Sequence, residues 1–382
     1  MKKKIAYFGI KGLPSKAGAD RVVEAIASGV NKDEYDVSVY CSSQVVPEGA
    51  TYPGIRLIRI PTLPGKHLHA TSLFILGALH ALLFGDFDLI HLHNVEASFM
   101  LPFLRLRYKV VSTSHAVPQD RDKWGTFAKF CLRVTEYPFL KLSNELTGVG
   151  APLTAYYLKQ YGKEIKYIPN GVDDHIDIDS EGALEILAKH DLEPQKYLLF
   201  AAGRIIPTKG CHYLLKAFQE IDSDIKLLIV GDEKQWPEYV ANLRKMADDR
   251  VKFGSFISSK KTLMGLIENA RFFVFPSTVE AMSMMLLETA SVGTPIVASD
   301  IPENTGVLPE QVLFFESANV DDLREKLEYA LDHPDEMHDL SAQAKNWVNY
   351  KYRWHDIVKE YEFMYAQLLP SEHQAVARIQ SL

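Results

Sequence analysis

The chain has 382 residues, 47% of them hydrophobic, and a formal charge of -7 at pH 7. That length and apolar share supply a large buried interior and point to two domains rather than one. The acidic balance excludes a general nucleic-acid binder, since no global positive field collects phosphate backbones, but it leaves room for local pockets that bind small anions.

The opening MKKKIAYFGI has only a short apolar stretch and runs straight into KGLP without a small-residue cleavage site, so it reads as a first strand rather than a targeting peptide. Further strands follow at 36–41, 55–60, 88–93, 109–114, 145–150 and 165–169, with helices expected around 19–30, 70–84, 126–141 and 151–160. The apolar segment SLFILGALHALLFG (72–85) falls short of the roughly 20 residues a bilayer crossing needs, and His80 interrupts it. The polar run IPNGVDDHIDIDSEG (168–182) carries an Asn-Gly turn and marks the best boundary. After it the alternation restarts with strands at 197–203, 226–232, 251–256, 271–277, 294–300 and 312–316, followed by a helical stretch from about Asp321 to Leu369 and a loosely ordered last dozen residues.

β-branched strands alternating with helical stretches are the signature of parallel sheets joined by crossover helices. The expected fold class is α/β, with two doubly wound Rossmann-like domains facing across a cleft: 1–175 and 176–349, and a helix at about 350–369 packing back on the first. Cys41, Cys131 and Cys211 show no CxxC or Cys/His spacing, so neither a disulfide framework nor structural zinc is expected and a reducing cytoplasm fits.

In open parallel sheets ligands bind beyond the carboxyl ends of strands. There the sequence places GRIIPTKG: Gly203 allows close backbone approach, Arg204 can fork onto phosphate oxygens, and Lys209 adds a point charge beside a helix start at Gly210. Taken singly, both cations read as well as solvated surface residues. Glu280 and Glu288 stand eight positions apart; were the intervening chain helical, they would lie about 12 Å apart along the axis with about 80° of rotation, suiting the two ends of one extended ligand. The plain alternative is a helix-terminal Glu280 and a surface Glu288, although MMLLETA is an apolar setting for a carboxylate.

In combination, these motifs resemble the family-4 retaining glycosyltransferases, which have the two-domain GT-B fold. The resemblance covers most of the chain: the glycine-bearing loop Gly12 to Arg21, PNGVD, GRIIPTKG, LLIVGD with Gly231, FGSF, and Glu-x7-Glu followed by VGTPIVASD. The stretch SHAVPQDRDKWGTFAKF and the segment from PFLKLSNELTGVG to IPNGV further resemble the branch that builds bacterial surface polysaccharides, including rhamnosyltransferase-like members. The resemblance implies catalytic roles for Arg204 and Lys209, which would neutralise the donor diphosphate, for Glu280 at the transferred sugar and for His115, which faces the donor sugar. Donor binding would further engage Gly18, Gly203, Gly231, backbone groups at Phe256 and Ile257 near the base, amides from Ala281 through Met282 and Ser283 to Met284, and Glu288 at the ribose hydroxyls. Asp20 and Arg21 would lie on the acceptor side. The implied chemistry uses no cofactor and no obligatory metal. Ala19 replaces the second glycine of the first loop, EAM the usual Glu-Gly-Phe, and IPEN the glycine pair expected after VASD, departures that bear on which donor is chosen.

The expected function is retaining transfer of a sugar from a nucleotide-sugar donor to a glycan or lipid-linked saccharide, with no nucleic-acid partner. FLRLRYK (103–109) and GKHLHATSLFILGALHALL read either as a surface resting on the cytoplasmic face of an anionic membrane or as a strand edge beside a buried helix. Lys2, Lys3 and Lys4 read as a solvated terminus, and Met282, Met284 and Met285 as packing residues. Competing readings are a sugar-nucleotide epimerase of the same fold, a silent nucleotide-sugar binder, and a dinucleotide-dependent oxidoreductase, the last disfavoured because YFGIKGLPSKAG lacks a compact GxGxxG turn.

Overall fold

The computed structural model describes residues 1–15, 18–65, 68–116 and 126–369, the side chains of 126–132 excepted. Most of SHAVPQDRDKWGTFAKF, part of the first glycine loop, the side chain of Cys131 and the last dozen residues lie outside the described residues. The chain forms two units: one takes in Met1–Asn170 and the chain from Trp354 onward, the other Gly171–Arg353.

In the first unit, β1 (Lys3–Phe8), β2 (Tyr35–Ser42), β3 (Arg56–Ile60), β4 (Leu89–His93), β5 (Lys109–Ser114), β6 (Glu145–Gly148) and β7 (Lys166–Tyr167) form a sheet of order β3-β2-β1-β4-β5-β6-β7. Every pairing is parallel, with Ile5 set opposite both Val37 and Leu89. Its crossovers include α1 (Gly18–Gly29), α2 (Leu68–Phe84), α3 (Leu101–Leu104), α4 (Thr126–Leu142) and α5 (Ala151–Tyr161). Strands such as IAYF are apolar at successive positions because both sheet faces are covered. Phe8, Ile90, Leu92 and Val110 bury one face against Leu73, Ala78 and Ala81 of α2.

The second unit repeats the plan with β8 (Tyr197–Ala202), β9 (Lys226–Gly231), β10 (Val251–Gly254), β11 (Phe272–Phe275), β12 (Ile296–Ser299) and β13 (Leu313–Phe315), in the order β10-β9-β8-β11-β12-β13 and again all parallel. Its helices include α6 (Ser180–Lys189), α7 (Cys211–Gln219), α8 (Pro237–Met246), α9 (Lys260–Glu268), α10 (Met284–Val292), α11 (Pro302–Thr305), α12 (Val320–Asp332) and α13 (Pro334–Lys351). Leu214, Leu215 and Phe218 of α7 and Leu323 and Leu327 of α12 pack with Leu198, Ile229 and Val274 in its core.

The helical stretch read from Asp321 to Leu369 is broken twice. Pro334, lacking a backbone N–H, opens α13 directly after His333, and Tyr352 leaves the helix to accept a hydrogen bond from the Val172 amide at 2.7 Å. The last piece, α14 (Trp354–Leu368), belongs to the first unit, where Tyr365 Oη lies 3.3 Å from Tyr7 Oη of β1. The two-residue β7 is shorter than the strand expected at 165–169.

In each sheet the strand order doubles back once, between β1 and β4 and between β8 and β11. Those reversals leave a crevice at the carboxyl ends, where doubly wound sheets place their ligands. The residues following β4, β8 and β11 are therefore where chemistry is sought.

Candidate active site

After β8 the chain turns at an exposed Gly203, and a Cβ there would meet nothing within 4 Å among the described residues. Gly231 is different: its Cβ would lie 2.4 Å from the Ala202 carbonyl, so its lack of a side chain serves the joint between β8 and β9. The Ile205 amide donates to the Asp232 carbonyl at 3.0 Å, tying the turn that carries half-buried Arg204 to the end of β9.

A short 3₁₀ turn, Pro207–Lys209, precedes α7, and Gly210, where the helix start was expected, is its N-cap residue. Gly210 joins the two with φ +71°, and a Cβ at that position would sit 1.8 Å from the Pro276 carbonyl. Only glycine fits both the left-handed backbone and the contact. The close approach sets the turn against the loop after β11, where the Thr278 amide donates to the Thr208 carbonyl at 2.9 Å. Lys209 Nζ forms an ion pair with the Glu280 carboxylate, the side chains being 22% and 10% exposed. Two residues 71 positions apart, both expected at the donor, thus meet.

The chain from Glu280 to Glu288 is not one helix. Ser283 caps α10, its hydroxyl accepting from the Leu286 amide at 3.4 Å, so Glu280, Ala281 and Met282 precede the helix and the 12 Å axial spacing does not apply to the pair. The cap leaves the first amides of α10, from Met284 on, close in sequence to Glu280, and such amides favour anions. Met282 is buried.

Glu288 lies within α10 and is 1% exposed. Lys260 Nζ stands 3.0 Å from its Oε1 and 2.7 Å from Asp173 Oδ2, so one ammonium bridges the buried carboxylate and the acidic segment that opens the unit. Sequence reasoning missed Lys260. A signal existed: Lys260 and Lys261 open α9, where the helix dipole disfavours cations, so carboxylate partners are called for. Lys261 pairs with Asp177 at 2.7 Å. After β10, Phe256 is exposed and Ile257 half-buried, which leaves the Phe256 ring accessible for stacking.

In the first unit, Gly18 opens α1 with φ +48°. Asp20 accepts from the Lys11 amide at 3.3 Å, and burial raises its carboxyl pKa to about 6 despite the opposing Lys11 charge. Arg21 follows, half-buried. His115 stands just past β5, its Nε2 2.9 Å from Nδ1 of His93 at the end of β4. Asn94, with φ 73°, donates through Nδ2 to the Gly9 carbonyl at 3.0 Å and holds the ends of β1 and β4 together.

Residues 17–175 match the family described as Glycosyltransferase Family 4, and residues 184–347 match Glycosyl transferases group 1. The chain belongs to the family-4 glycosyltransferases. This glycosyltransferase is 24% identical over 317 residues to the MMP alpha-(1->4)-mannosyltransferase of Mycolicibacterium hassiacum, covering 77% of the chain and 72% of the relative. Sucrose-phosphate synthase from Thermosynechococcus elongatus superposes with a TM-score of 0.80 at 19% identity, covering 96% of this chain and 99% of that one. HepE of Anabaena, solved in complex with UDP-glucose, gives 0.76 at 15% identity over 95% and 99% of the two chains. The GT-B architecture expected from the sequence is the one these likenesses share, and the enzyme class is glycosyl transfer.

Proposed function

We propose that this glycosyltransferase transfers a sugar, with retention of anomeric configuration, from a nucleoside-diphosphate sugar to a saccharide or lipid-linked saccharide in polysaccharide or glycoconjugate synthesis. The observation that carries the donor assignment is the fixed turn after β8: Arg204 and Lys209 on one loop, tied by Gly210 against the Glu280 loop and the start of α10. As the glycosidic bond breaks, negative charge gathers on the departing diphosphate, and two pre-positioned cations stabilise it without any metal being required. Lys209 would serve two partners, its bond to Glu280 holding the ammonium in place for phosphate while Glu280 turns its other oxygen to the sugar hydroxyls. Glu288 would accept from the ribose and Phe256 would lie against the base, with Ile257, Ala281, Met282, Ser283 and Gly203 lining the path between. Gly18 would approach the phosphates and Asp20 and Arg21 the acceptor. In the front-face course proposed here, the leaving phosphate oxygen takes the proton of the acceptor hydroxyl, so His115 need not act as a base. HepE, its neighbour in fold, was solved with UDP-glucose, which supports a nucleotide-sugar donor.

An acceptor held in a membrane is supported by α2 and α3. Among the described residues no helix is long and apolar enough to cross a bilayer, yet α2 is apolar around its circumference. Leu79, Leu83 and Phe84 on α2 are exposed, as are Phe103 on α3, which packs against α2, and Leu106 just past it, and exposed Arg107 donates to the Leu82 carbonyl of α2 at 2.6 Å. Such a patch with a cationic edge suits the cytoplasmic face of an anionic membrane.

Proton NMR of the enzyme with a panel of UDP-, GDP-, dTDP- and ADP-sugars tests the reading. Slow hydrolysis of one donor, or transfer to an added saccharide with the anomeric coupling kept, is the expected result. Interconversion of the donor sugar without acceptor would instead assign an epimerase, and no turnover of any donor would make the chain a binder.

A further inference from the structure

Two histidines of β4, His91 and His93, alternate along the strand and so share a sheet face, and both are fully buried. Neither figured among the residues expected to act. His91 is satisfied at both ring nitrogens: Nδ1 is 2.6 Å from Tyr365 Oη and Nε2 is 2.7 Å from Thr113 Oγ1, which lies 2.6 Å from Thr147 Oγ1. His93 has the contact with His115 at Nδ1, the two rings stacking at 5.2 Å, whereas its Nε2 is buried and meets no hydrogen-bond partner among the described residues. Burial, with the neighbouring imidazoles acting in the same direction, holds both β4 histidines well below the ordinary histidine range, so each is neutral at pH 7.

A neutral imidazole carries a single N–H. If His115 donated in the pair, the hydrogen of His93 would sit on Nε2, a buried N–H with no acceptor. If His93 donates, its Nδ1–H is used and only a lone pair at Nε2 is left over. Buried orphan donors are rarer and costlier than under-used acceptors, so the second arrangement wins. The seat is firm: His91 and His93 rings lie 4.0 Å apart, and Asn94, the next residue, is tied to β1 through the Gly9 carbonyl.

We infer that His93 is a positioning residue for His115: its Nδ1–H donates to Nε2 of His115, which places the His115 proton on Nδ1 and makes that side chain a hydrogen-bond donor, not a base, toward the transferred sugar. The last step rests on the proposed role of His115 at the donor; the proton placement does not. A hydroxyl of the sugar, meeting a donor, is held through its oxygen lone pair. Tethering the ring from behind orients it before the substrate arrives.

The test is long-range nitrogen–proton correlation NMR on the full chain labelled with 15N-histidine, with His115 identified by the signals lost in His115→Gln. The expected spectrum shows His115 protonated at Nδ1 and bare at Nε2. His93→Phe, which keeps a ring but no donor, is expected to move His115 to the Nε2–H tautomer and to lower kcat about tenfold, the worth of one oriented hydrogen bond, with KM little changed. His93→Asn, whose amide nitrogen reaches much as Nδ1 does, should keep the tautomer and recover most of the rate. Wild-type His115 protonated at Nε2, or an unaltered His115 tautomer in His93→Phe, would overturn the inference. Should His93→Phe fail to fold, the wild-type spectrum decides alone. That spectrum needs no donor, so a correct tautomer with no response to any nucleotide sugar would count against the donor reading while upholding the proton placement.

Discussion

Replacing Lys260 by methionine separates the two charges that meet at Glu288. At 3.0 Å, and with an effective dielectric near 20, their attraction has an upper bound of about 5.5 kcal/mol. Glu288 is 1% exposed, but the Lys260 side chain is 40% exposed, so water screens half of the pair and the net loss falls to about 1–2 kcal/mol. The geometry makes the two partners unequal. Glu288→Gln keeps shape and leaves Lys260 on Asp173 at 2.7 Å, whereas Lys260→Met takes the ammonium from a buried carboxylate. Lys260→Met should therefore lower the calorimetric transition of the second unit by roughly 2–8 °C, and Glu288→Gln by less than half of that. Donor affinity should follow the opposite order, with Glu288→Gln losing more because the ribose meets a neutral amide, whose one oxygen Lys260 also attracts, in place of a carboxylate. If Glu288→Gln were the more damaging to stability, the bridging role assigned to Lys260 would be wrong.

Four further outcomes follow from the geometry. Arg204→Ala and Lys209→Ala should each lower kcat/KM by about 100- to 1,000-fold in a donor-turnover assay, as for removal of a group that meets charge in the transition state. Gly203→Ala should leave the melting temperature unchanged and weaken donor binding, whereas Gly231→Ala, with its Cβ 2.4 Å from the Ala202 carbonyl, should lower the melting temperature. For Asp20 the folded pKa, about 6, lies above the ordinary 3.8, so the stability it contributes is present below pH 4 and lost as pH rises through 6. Asp20→Asn should accordingly stabilise the protein by on the order of 1–3 kcal/mol at about pH 8 and by nothing near pH 3, read from denaturant titrations at the two pH values. Leu83→Glu with Phe84→Glu should abolish co-sedimentation with anionic vesicles without altering donor hydrolysis in solution.

The architecture was legible because parallel strands buried on both faces announce themselves as short apolar runs, and FFVF or LLIV admit no other reading beside their flanking turns. The turn after β8 was legible for a related reason: a glycine at the end of such a run followed closely by Arg204 and Lys209 is a local pattern. What sequence could not supply was pairing over distance. Lys260 meets Glu288 across 28 positions and Asp173 across 87, and its own surroundings offered only the weak sign of a cation at the wrong end of a helix. The 12 Å spacing of Glu280 and Glu288 held only for one continuous helix, a condition that Ser283 breaks because its hydroxyl makes it the cap of α10. His93 is the last residue of β4, and its partner just past the neighbouring strand, His115, is 22 residues away, a pairing no local pattern marks.

The most direct measurement is a phosphorus NMR titration of nucleoside diphosphates and their sugars against wild type and the Arg204→Ala, Lys209→Ala double variant. Wild type should shift both phosphorus resonances of one nucleotide class, with saturable binding that the double variant lacks. Equal affinity in the two proteins, or a wild type that moves neither resonance of any nucleotide, would contradict the placement of the diphosphate at this turn.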